Sequence, residues 1–368
     1  MSSIFQRLAS TARSEPFRLT IEPGFVHLRG IETVLDTPTV AMIDGQLQHI
    51  PAALHPELAA QRVRAIYAAA LLRFCARHDV PTLGMFLTAG RGSMFCSTER
   101  VVRSKNVWAD GRIQTRLKPI GNSNRSVVLE YSTSHFYATS VRARMEEGGS
   151  VSIIAVFDRE DNGQLVFRPL VIGFPSVTSD DPAWAEKAMW IGYEYYQNFI
   201  QDFAEFANLS ERHRPKDFSA MKGITERAFK ACLAAILGDT AVKDWAGETS
   251  DHFTTNLHLA GRPVTGAFLL KGPAHFRPMT LNNLGKNNDQ IVRLSAEPAD
   301  VLFVQHCHEI TPPVRATLRA FAVQPGRPRR YCLVDGRDSL WLLRAYRLYR
   351  HAVQLSAKER SAKRRRAR

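Results

Sequence analysis

The first half of the chain is dominated by short runs in which apolar and polar positions alternate, a pattern typical of antiparallel strands. Phe17–Ile21 and Phe25–Leu28 flank the turn signal Glu22–Gly24 and predict a hairpin or the start of a meander. His55–His78 has apolar residues at helical spacing and predicts a helix. Further strands are predicted at Ser126–Tyr131, Tyr137–Arg142, Ser150–Phe157 and Gln164–Ile172. We therefore predict an α+β N-terminal domain over residues 1–180.

An aromatic-rich segment and a short basic segment follow this domain. Ala183–Leu209 contains eight aromatic residues and predicts one long helix, whose rings are expected in a core or at a domain interface rather than stacked on bases. Ser210–Ser219 is polar and basic, and it predicts a linker. The two segments together form a predicted connecting region over residues 181–219.

Helical and strand-like patterns alternate in the second half, which predicts a mixed sheet flanked by helices, an α/β domain over residues 220–350. Thr225–Leu237 has apolar residues three and four apart, with Thr225 as an N-terminal cap and Gly238 as a stop. Ala299–His306 is a continuous apolar run and predicts a buried strand. The other predicted elements are the helices Asn283–Leu294, Pro312–Ala322 and Ser339–Tyr349 and the strand Arg330–Val334.

A predicted hairpin in this second half brings two chemically useful side chains together. The runs His252–Leu259 and Val264–Lys271 are strand-like, and the short turn Ala260–Pro263 joins them. In an antiparallel pair with so short a turn, the start of the first strand lies across from the end of the second. Asp251 opens the first strand and Lys271 closes the second, so we expect a carboxylate and an amine close to one another.

Length and composition limit the class of protein. A chain of 368 residues with 45% hydrophobic residues is long enough for two domains with their own cores. No run approaches the roughly 18 apolar residues of a membrane span, and Met1–Arg18 lacks the apolar segment of a secretory signal. We therefore expect a soluble cytoplasmic protein without a membrane partner. The five cysteines form no CxxC pair, so neither a disulfide framework nor structural zinc is expected.

The charge of the chain is compatible with a polyanionic partner such as a nucleic acid, although it does not require one. There are 49 Lys and Arg residues against 35 Asp and Glu, a formal charge of +14. Seven basic residues and one acidic residue fall within Ser356–Arg368. We expect residues 351–368 to form a disordered arm that contacts phosphates through Lys363, Arg364, Arg365 and Arg366, although a plain solubility tail remains an alternative.

The order of elements from Thr225 to Tyr346 resembles the restriction-endonuclease-like superfamily, and within it the Mrr-type catalytic domains. The strongest similarities are Phe268–Lys271, the strand Val301–Gln305, and Tyr331–Gly336 before the last predicted helix. The resemblance covers about a third of the chain. It implies a magnesium-dependent nuclease domain, whereas it leaves the N-terminal domain without a role.

The resemblance also implies roles for individual residues. In that superfamily an acid opening the second strand and an acid-x-Lys motif on the third strand bind magnesium, and the lysine steadies the attacking water or the scissile phosphate. Asp251 would then be a metal ligand and Lys271 the catalytic lysine. Leu269 stands where the second acid is expected, a position at which Mrr-type domains often carry Gln. Either Glu226, which resembles the helix acid of the superfamily, or Glu248 is expected to supply the missing carboxylate.

Three residues that follow the hairpin are expected to line a nucleic-acid groove: Lys286, Gln290 and Arg293. A solvated helix face is the alternative interpretation of this set. The run His306–Glu309 contains metal-ligand types, but no second ligand cluster accompanies it at a known spacing. A serine hydrolase is not supported, because the sequence contains no GxSxG motif.

Two functions remain open at this point. The first is a magnesium-dependent endonuclease that cuts DNA in restriction or phage defence, either as a homodimer or with a partner protein. The second is a nuclease fold that has lost cleavage and acts as a nucleic-acid-binding or regulatory module. The surroundings of Lys271 distinguish them, because cleavage requires two carboxylates beside that lysine.

Overall fold

The computed structural model describes residues 17–51, 53–89, 92–102, 112–119, 125–179, 181–191, 193–239, 249–285, 289–325 and 327–366. The chain divides into two compact units. The N-terminal unit contains the described residues from Phe17 to Ile191 together with those of Val323–Pro328. The C-terminal unit contains the described residues of Tyr193–Ala322 and those from Arg329 to Arg366. Both units combine helices with a sheet, so the protein is of mixed α/β class, which is compatible with an α+β fold.

The N-terminal unit is built on one six-stranded sheet in the order β1-β6-β4-β3-β2-β5, in which β5 also pairs with β6. All its pairings are antiparallel except that of β4 with β6. Strands β2 to β6 therefore form a closed ring of pairings. Strand β1 lies outside this ring and pairs with the C-terminal half of β6. The strands are β1 (Arg18–Val26), β2 (Met94–Val101), β3 (Arg112–Lys118), β4 (Ser126–Ser132), β5 (Gly149–Asp161) and β6 (Gln164–Thr178).

Six helices are described in this unit: α1 (Leu28–Glu32), α2 (Thr37–Leu47), α3 (Pro56–Arg77), α4 (Leu83–Ala89), α5 (Thr139–Glu147) and α6 (Pro182–Ile191). The helix predicted at His55–His78 is confirmed as α3. The hairpin or meander predicted over residues 17–28 is wrong. A single strand, β1, continues through Pro23 and Gly24 and pairs with β6 on both sides of a register shift between Pro23 and Phe25. The strand predicted at Tyr137–Arg142 is also wrong, since Thr139 begins α5.

The C-terminal unit contains a five-stranded sheet in the order β7-β13-β10-β9-β8. Strands β8 and β9 form an antiparallel hairpin, and the pairs β9 with β10, β10 with β13, and β13 with β7 are parallel. Its strands are β7 (Gln197–Asn198), β8 (His252–Leu259), β9 (Arg262–Lys271), β10 (Val301–His306) and β13 (Arg330–Val334). The short strands β11 (Val323–Gln324) and β12 (Arg327–Pro328) pair with each other and belong to the N-terminal unit.

Helices cover both faces of this sheet. They are α7 (Glu226–Leu237), α8 (Gln290–Ala296), α9 (Pro312–Ala322), α10 (Gly336–Ala345) and α11 (Tyr349–Arg366). Phe268 of β9 and Phe303 of β10 stack with their ring centroids 4.1 Å apart, in one core cluster with apolar residues of α7, α10 and α11. Leu269, Leu302 and Val304 alternate with them along the strands and are buried on the opposite face, where α8 and α9 pack.

The predicted helix α7 is confirmed within one residue. The Thr225 side chain accepts a hydrogen bond from the Ala228 N–H, and Gly238 ends the helix in the left-handed conformation with φ of 70°. The predicted strand and helix at Ala299–His306 and Pro312–Ala322 are confirmed as β10 and α9. The helix predicted at Asn283–Leu294 is shorter, because α8 begins only at Gln290. None of the described helices combines the length and the apolar character needed to cross a lipid bilayer.

The single long helix predicted over Ala183–Leu209 is wrong. Helix α6 ends at Ile191, and from Tyr193 onward the chain forms short 3-10 turns and strand β7. Asp202 stabilises this irregular path by accepting hydrogen bonds from Asn198 Nδ2 and from the Phe199 N–H. In this path Tyr196, Phe203 and Phe206 are fully buried. Residues 210–219, predicted as a linker, belong to the C-terminal unit.

The basic tail is helical through Arg366, the last described residue, rather than disordered. The closing helix predicted at Ser339–Tyr349 is instead α10, which ends at Ala345, and α11 continues to Arg366. Helix α11 packs against α7 by burying Ala352 and Ser356 completely. This tertiary contact explains why the predicted disorder is wrong. A highly charged segment is expected to be disordered only when its few apolar side chains have no surface on which to pack.

Candidate functional site

Three parallel strands of the C-terminal unit end at one edge of its sheet, and a polar residue lies at the end of each strand or directly after it. Strand β9 ends at Lys271 and β10 at His306, while Asp335 follows β13. Backbone hydrogen bonds join these ends: the Cys307 N–H donates to the Lys271 carbonyl at 3.2 Å, and the Gly336 N–H donates to the His308 carbonyl at 3.0 Å. We call this region the carboxyl edge. In open α/β sheets, ligands bind outside the carboxyl ends of the strands.

The β8–β9 hairpin delivers Asp251 to the carboxyl edge. The first registered pair of the hairpin is His252 with Phe268, so Asp251 lies across from Leu269. The Asp251 N–H donates to the Phe268 carbonyl at 2.9 Å. One carboxylate oxygen of Asp251 accepts a hydrogen bond from the Leu270 N–H at 2.7 Å. The turn length therefore predicted the neighbourhood correctly, since Leu270 directly precedes Lys271.

Helix α7 delivers Glu226 to the same place. Thr225 caps the helix, which puts Glu226 in its first turn. One carboxylate oxygen of Glu226 accepts a hydrogen bond from the Gly272 N–H at 3.0 Å. A Cβ atom on Gly272 would lie 2.7 Å from the Glu226 backbone nitrogen, so only glycine permits this close approach of the helix to the strand.

The two carboxylates thus occupy neighbouring positions along one strand end. Alternate N–H groups of an extended strand point to the same side, and those of Leu270 and Gly272 are about 7 Å apart. Asp251 and Glu226 bind these two groups, and Lys271 lies between them in the sequence. The backbone of Lys271 therefore lies between the two residues to which Asp251 and Glu226 bind. Glu248, the other candidate carboxylate, lies outside the described residues.

A buried glutamine holds the backbone of Lys271 from the other side. Gln305, 2% exposed, accepts a hydrogen bond from the Lys271 N–H at 3.3 Å and donates to Ser339 Oγ at 2.9 Å. The Ser339 hydroxyl donates in turn to the Asp335 carbonyl at 2.7 Å. Sequence reasoning missed this chain of bonds. The signal was Gln305, a polar residue that follows four apolar residues in strand β10.

Leu269 is part of the core and offers no metal ligand. It is 3% exposed and lies beside Val304 in the parallel register of β9 and β10. Within the described ranges, no group of three or more His, Cys, Asp or Glu side chains is arranged to hold a metal ion. The protein ligands of a divalent cation at this edge would therefore be Asp251 and Glu226. Water molecules and phosphate oxygens would supply the remaining ligands, as is common for magnesium.

No family model, curated protein or solved structure matches this chain. The resemblance to restriction-endonuclease-like domains therefore stays a prediction. The chemistry of the carboxyl edge has to be argued from its geometry alone.

The two histidines at and just after the end of β10, His306 and His308, are engaged in local contacts. The Nε2 atom of His306 lies 2.9 Å from the Arg277 carbonyl, and burial lowers the pKa of this imidazole. His308 packs between Phe218 and Phe276, with ring centroids 5.0 and 4.8 Å away, and accepts a hydrogen bond from the Glu309 N–H. In the described part of the chain these residues form no metal-ligand cluster, so the run His306–Glu309 contributes to packing around the edge.

The residues predicted to line a nucleic-acid groove have varied surroundings. Gln290 begins α8, and its side-chain oxygen is buried. Arg293, one turn further, is paired with Asp289 at 3.4 Å and is 30% exposed. Lys286 lies outside the described residues. The structure therefore shows Gln290 and Arg293 half-buried on one short helix that packs against β9.

The C-terminal, strongly basic part of helix α11 starts beside the first turn of α7, next to the carboxyl edge. Ser356 Oγ accepts a hydrogen bond from the Thr225 N–H at 3.0 Å, and Thr225 directly precedes Glu226. Arg360 donates to the Gly223 carbonyl at 2.8 Å. Lys358 and Arg365 are exposed. The backbones of Lys363, Arg364 and Arg366 lie in the same helix, while their side chains lie outside the description.

Proposed function

We propose that the carboxyl edge of the C-terminal unit hydrolyses phosphodiester bonds of DNA with the help of a bound magnesium ion, as an endonuclease does. One observation carries this proposal: Asp251 and Glu226 bind the backbone N–H groups of Leu270 and Gly272, the two residues that flank Lys271. Two carboxylates suffice to hold a magnesium ion whose other ligands are water and phosphate oxygens, and a bound ion of this kind can assist phosphodiester hydrolysis.

Each residue has a defined task in this proposal. Asp251 and Glu226 would hold the ion, and their hydrogen bonds to the strand fix the orientation of both carboxylates before any ligand binds. When bound, magnesium would polarise the scissile phosphate and lower the pKa of a coordinated water. The ammonium group of Lys271 would stabilise negative charge on the phosphate or orient the water, because it is a compact cation with three donors.

The basic helix supplies affinity for the DNA backbone. Ser356 fixes α11 to the first turn of α7, so the exposed Lys358 lies less than one helical turn beyond this anchor. The helix continues through Lys363, Arg364, Arg365 and Arg366. Contacts of such residues with phosphates position the duplex without reading its sequence. This proposal therefore assigns α11 to substrate binding and leaves target selection to other parts of the protein.

The test is a cleavage assay on supercoiled plasmid DNA with and without magnesium. The native chain is compared with Asp251→Ala and Lys271→Ala, and with Lys222→Ala as an exposed lysine control on the same unit. We expect both site variants to lose about 100-fold or more in rate, and the control to cleave like the native chain. Cleavage that survives both site substitutions would exclude the carboxyl edge as the active site.

A second function is favoured by one specific observation, the burial of Leu269 where an acidic ligand is expected. In that case the same surface binds nucleic acid without cutting it. The result that supports this alternative is salt-dependent DNA binding by the native chain, together with no magnesium-dependent cleavage of plasmid, single-stranded DNA or RNA. Binding measured in EDTA on the same samples separates the two functions.

A further inference from the structure

Two histidines of the N-terminal unit lie against each other beside a pocket of about 260 Å³. His27 and His135 are half-buried, and their ring centroids lie 4.3 Å apart with an angle of 42° between the ring planes. His27 directly precedes α1, and His135 lies in the 3-10 turn Thr133–His135 that follows β4. The proposed active site does not use this pair.

The first of these imidazoles caps helix α1 through one specific nitrogen. The Gly30 N–H donates to Nδ1 of His27 at 2.7 Å, so this nitrogen carries no proton. The His27 N–H donates in turn to the Leu170 carbonyl at 2.9 Å, which fixes the cap to β6. Helix α1 has only five residues, so the cap satisfies one of the few N–H groups at its start.

Protonation acts on both sides of this contact. An imidazolium carries a proton on each nitrogen and cannot accept a hydrogen bond, so a protonated His27 no longer caps α1. Protonation of His135 as well would place two positive charges in rings whose centroids are 4.3 Å apart, where they repel each other. Both effects have the same direction, and acid weakens the contact between α1 and the turn after β4.

The surroundings of His135 favour its neutral form. Burial, followed by the nearby His27, lowers the pKa of this imidazole below its ordinary value of 6.5. The folded state therefore binds the proton less tightly than the unfolded chain does. The contribution of the neutral ring to stability is fully present above pH 6.5 and is lost as the pH falls below that value.

Other charged groups line the same pocket. Arg112 from β3 and Arg168 from β6 add positive charge, and Glu130 from β4 adds negative charge. The Glu130 carboxylate is engaged by Arg112 at 3.6 Å and by Arg159 at 2.8 Å. This carboxylate is therefore already shared between two guanidinium groups, and it does not form a described ion pair with either histidine.

The rest of α1 is held by contacts that do not involve an imidazole. Ile31 is fully buried in the core, and Glu32 accepts a hydrogen bond from the Tyr67 hydroxyl of α3 at 2.9 Å. Arg29, the other charged residue of the helix, is exposed. Acid therefore acts on the first turn of α1, while the end of the helix stays attached to the unit.

We propose that the His27–His135 pair is an acid-sensitive latch on the first turn of α1. At neutral pH the unprotonated pair holds this turn against the pocket, one side of which is formed by Gly30 and Thr33. In acid both imidazoles take up a proton, the cap is lost, the rings separate and the pocket widens. The latch is independent of the nuclease activity, because its residues all lie in the N-terminal unit.

The test is amide hydrogen exchange of the full chain, followed by NMR at pH 7.5 and pH 5.0 and expressed as protection relative to an unstructured peptide at each pH. We expect the protection of the Gly30 N–H to fall by about tenfold or more at pH 5.0. The Thr39 N–H is the internal control, because Asp36 caps it at 2.9 Å. A hydrogen bond from the Thr39 side chain is the main cause that lowers the pKa of Asp36 to about 2, so this cap stays intact in the same range.

Two substitutions and one control variant make the test specific. His27→Asn keeps a capping acceptor that does not titrate, and His135→Phe keeps a ring that carries no charge. The double variant should show equal Gly30 protection at both pH values. His49→Asn changes an exposed histidine of the same unit, and it should respond to acid like the native chain. Equal Gly30 protection of the native chain at both pH values, or an acid-induced loss that persists in the double variant, would overturn the proposal.

Discussion

The Glu226 carboxylate accepts a hydrogen bond from the Gly272 N–H at 3.0 Å, and this bond ties the first turn of α7 to the end of β9. The two residues are 46 positions apart in the sequence. Their contact brings a second carboxylate to the backbone of the residue that follows Lys271, although Leu269 leaves the usual position of that acid without a ligand. The proposed activity therefore depends on how closely the helix approaches the strand.

Gly272→Ala should disturb the site and the fold together. The new Cβ would lie 2.7 Å from the Glu226 nitrogen and 2.8 Å from its Cβ, and neither atom can move without shifting α7. We expect a loss of about 1–3 kcal/mol in the free energy of unfolding, measured with urea, and a parallel loss of cleavage. Gly223→Ala is the matched control, because a Cβ there meets nothing within 4 Å. Equal stability of the two variants would show that the helix does not approach the strand so closely.

Leu269 should behave as a core residue without a chemical role. It is 3% exposed, so Leu269→Ala removes buried methyl groups and leaves a cavity. The expected loss is about 2–5 kcal/mol in the free energy of unfolding, whereas Leu269→Met should cost less than about 1.5 kcal/mol and retain cleavage. Urea unfolding and plasmid cleavage check the pair of variants. A Leu269→Met protein that is stable but inactive would show that this position has a role in cleavage, which would contradict its assignment as a core residue only.

The parts of the site that are local in sequence could be predicted from the sequence. The β8–β9 hairpin follows from alternation and a short turn, and it fixes the position of Asp251 relative to Lys271. The start and end of α7 follow from the hydrogen-bonding capacity of Thr225 and from the freedom of Gly238 to adopt a positive φ. Each of these features is decided by residues within about twenty positions of one another.

The parts that depend on distant contacts could not be predicted. The hydrogen bond between Glu226 and Gly272 forms only because helix α7 packs against the end of strand β9. The spacing of apolar residues within each element does not show how far apart the two elements lie. The irregular path after Tyr193 is stabilised by contacts of its own, such as the hydrogen bonds that Asp202 accepts, and Tyr196, Phe203 and Phe206 are buried in it although the local pattern predicts a helix. Helix α11 forms because Ala352 and Ser356 find a surface on α7, although its composition indicates a disordered arm.

Removing two charges from α11 should change the salt dependence of DNA binding. Lys358 and Arg360 are exposed, and each is expected to contact a phosphate. The double variant Lys358→Gln, Arg360→Gln should lower the slope of log K against log salt by about 1.8, since each lost phosphate contact changes it by about 0.9. Fluorescence anisotropy over a range of salt concentrations measures the slope. The double variant Arg315→Gln, Arg319→Gln on α9 should keep the native slope. If both double variants lowered the slope equally, the effect would reflect only the loss of net charge and not a phosphate contact of α11.

Asp338 should make the stability depend on pH. Burial, followed by the nearby Asp335, raises the pKa of this carboxyl from 3.8 to about 6, although Arg214 acts in the opposite direction. The folded state thus binds the proton more tightly than the unfolded state, so this group favours folding at low pH and loses that contribution as pH rises from about 4 to about 6. Above that window Asp338→Asn should lack a penalty on the order of 1–3 kcal/mol that the native chain carries.

Urea unfolding at pH 4.5 and pH 7.5 measures this difference. The free energy of unfolding of Asp338→Asn, relative to the native chain, should rise between the two pH values. Glu211→Gln, at a side chain that is 65% exposed, is the control and should follow the native profile. An identical pH profile in the native chain and Asp338→Asn would mean that Asp338 does not titrate in this range.

The most direct test of the proposed active site is the magnesium dependence of single-turnover DNA cleavage by Glu226→Gln. This substitution keeps the size of the side chain and an oxygen for the Gly272 N–H, but it removes the charge that would hold the ion. We predict that the variant folds and binds DNA in EDTA like the native chain, needs more magnesium, and cleaves about 100-fold more slowly even at saturation. A cleavage rate and magnesium requirement equal to those of the native chain would contradict the role of Glu226 as the second carboxylate.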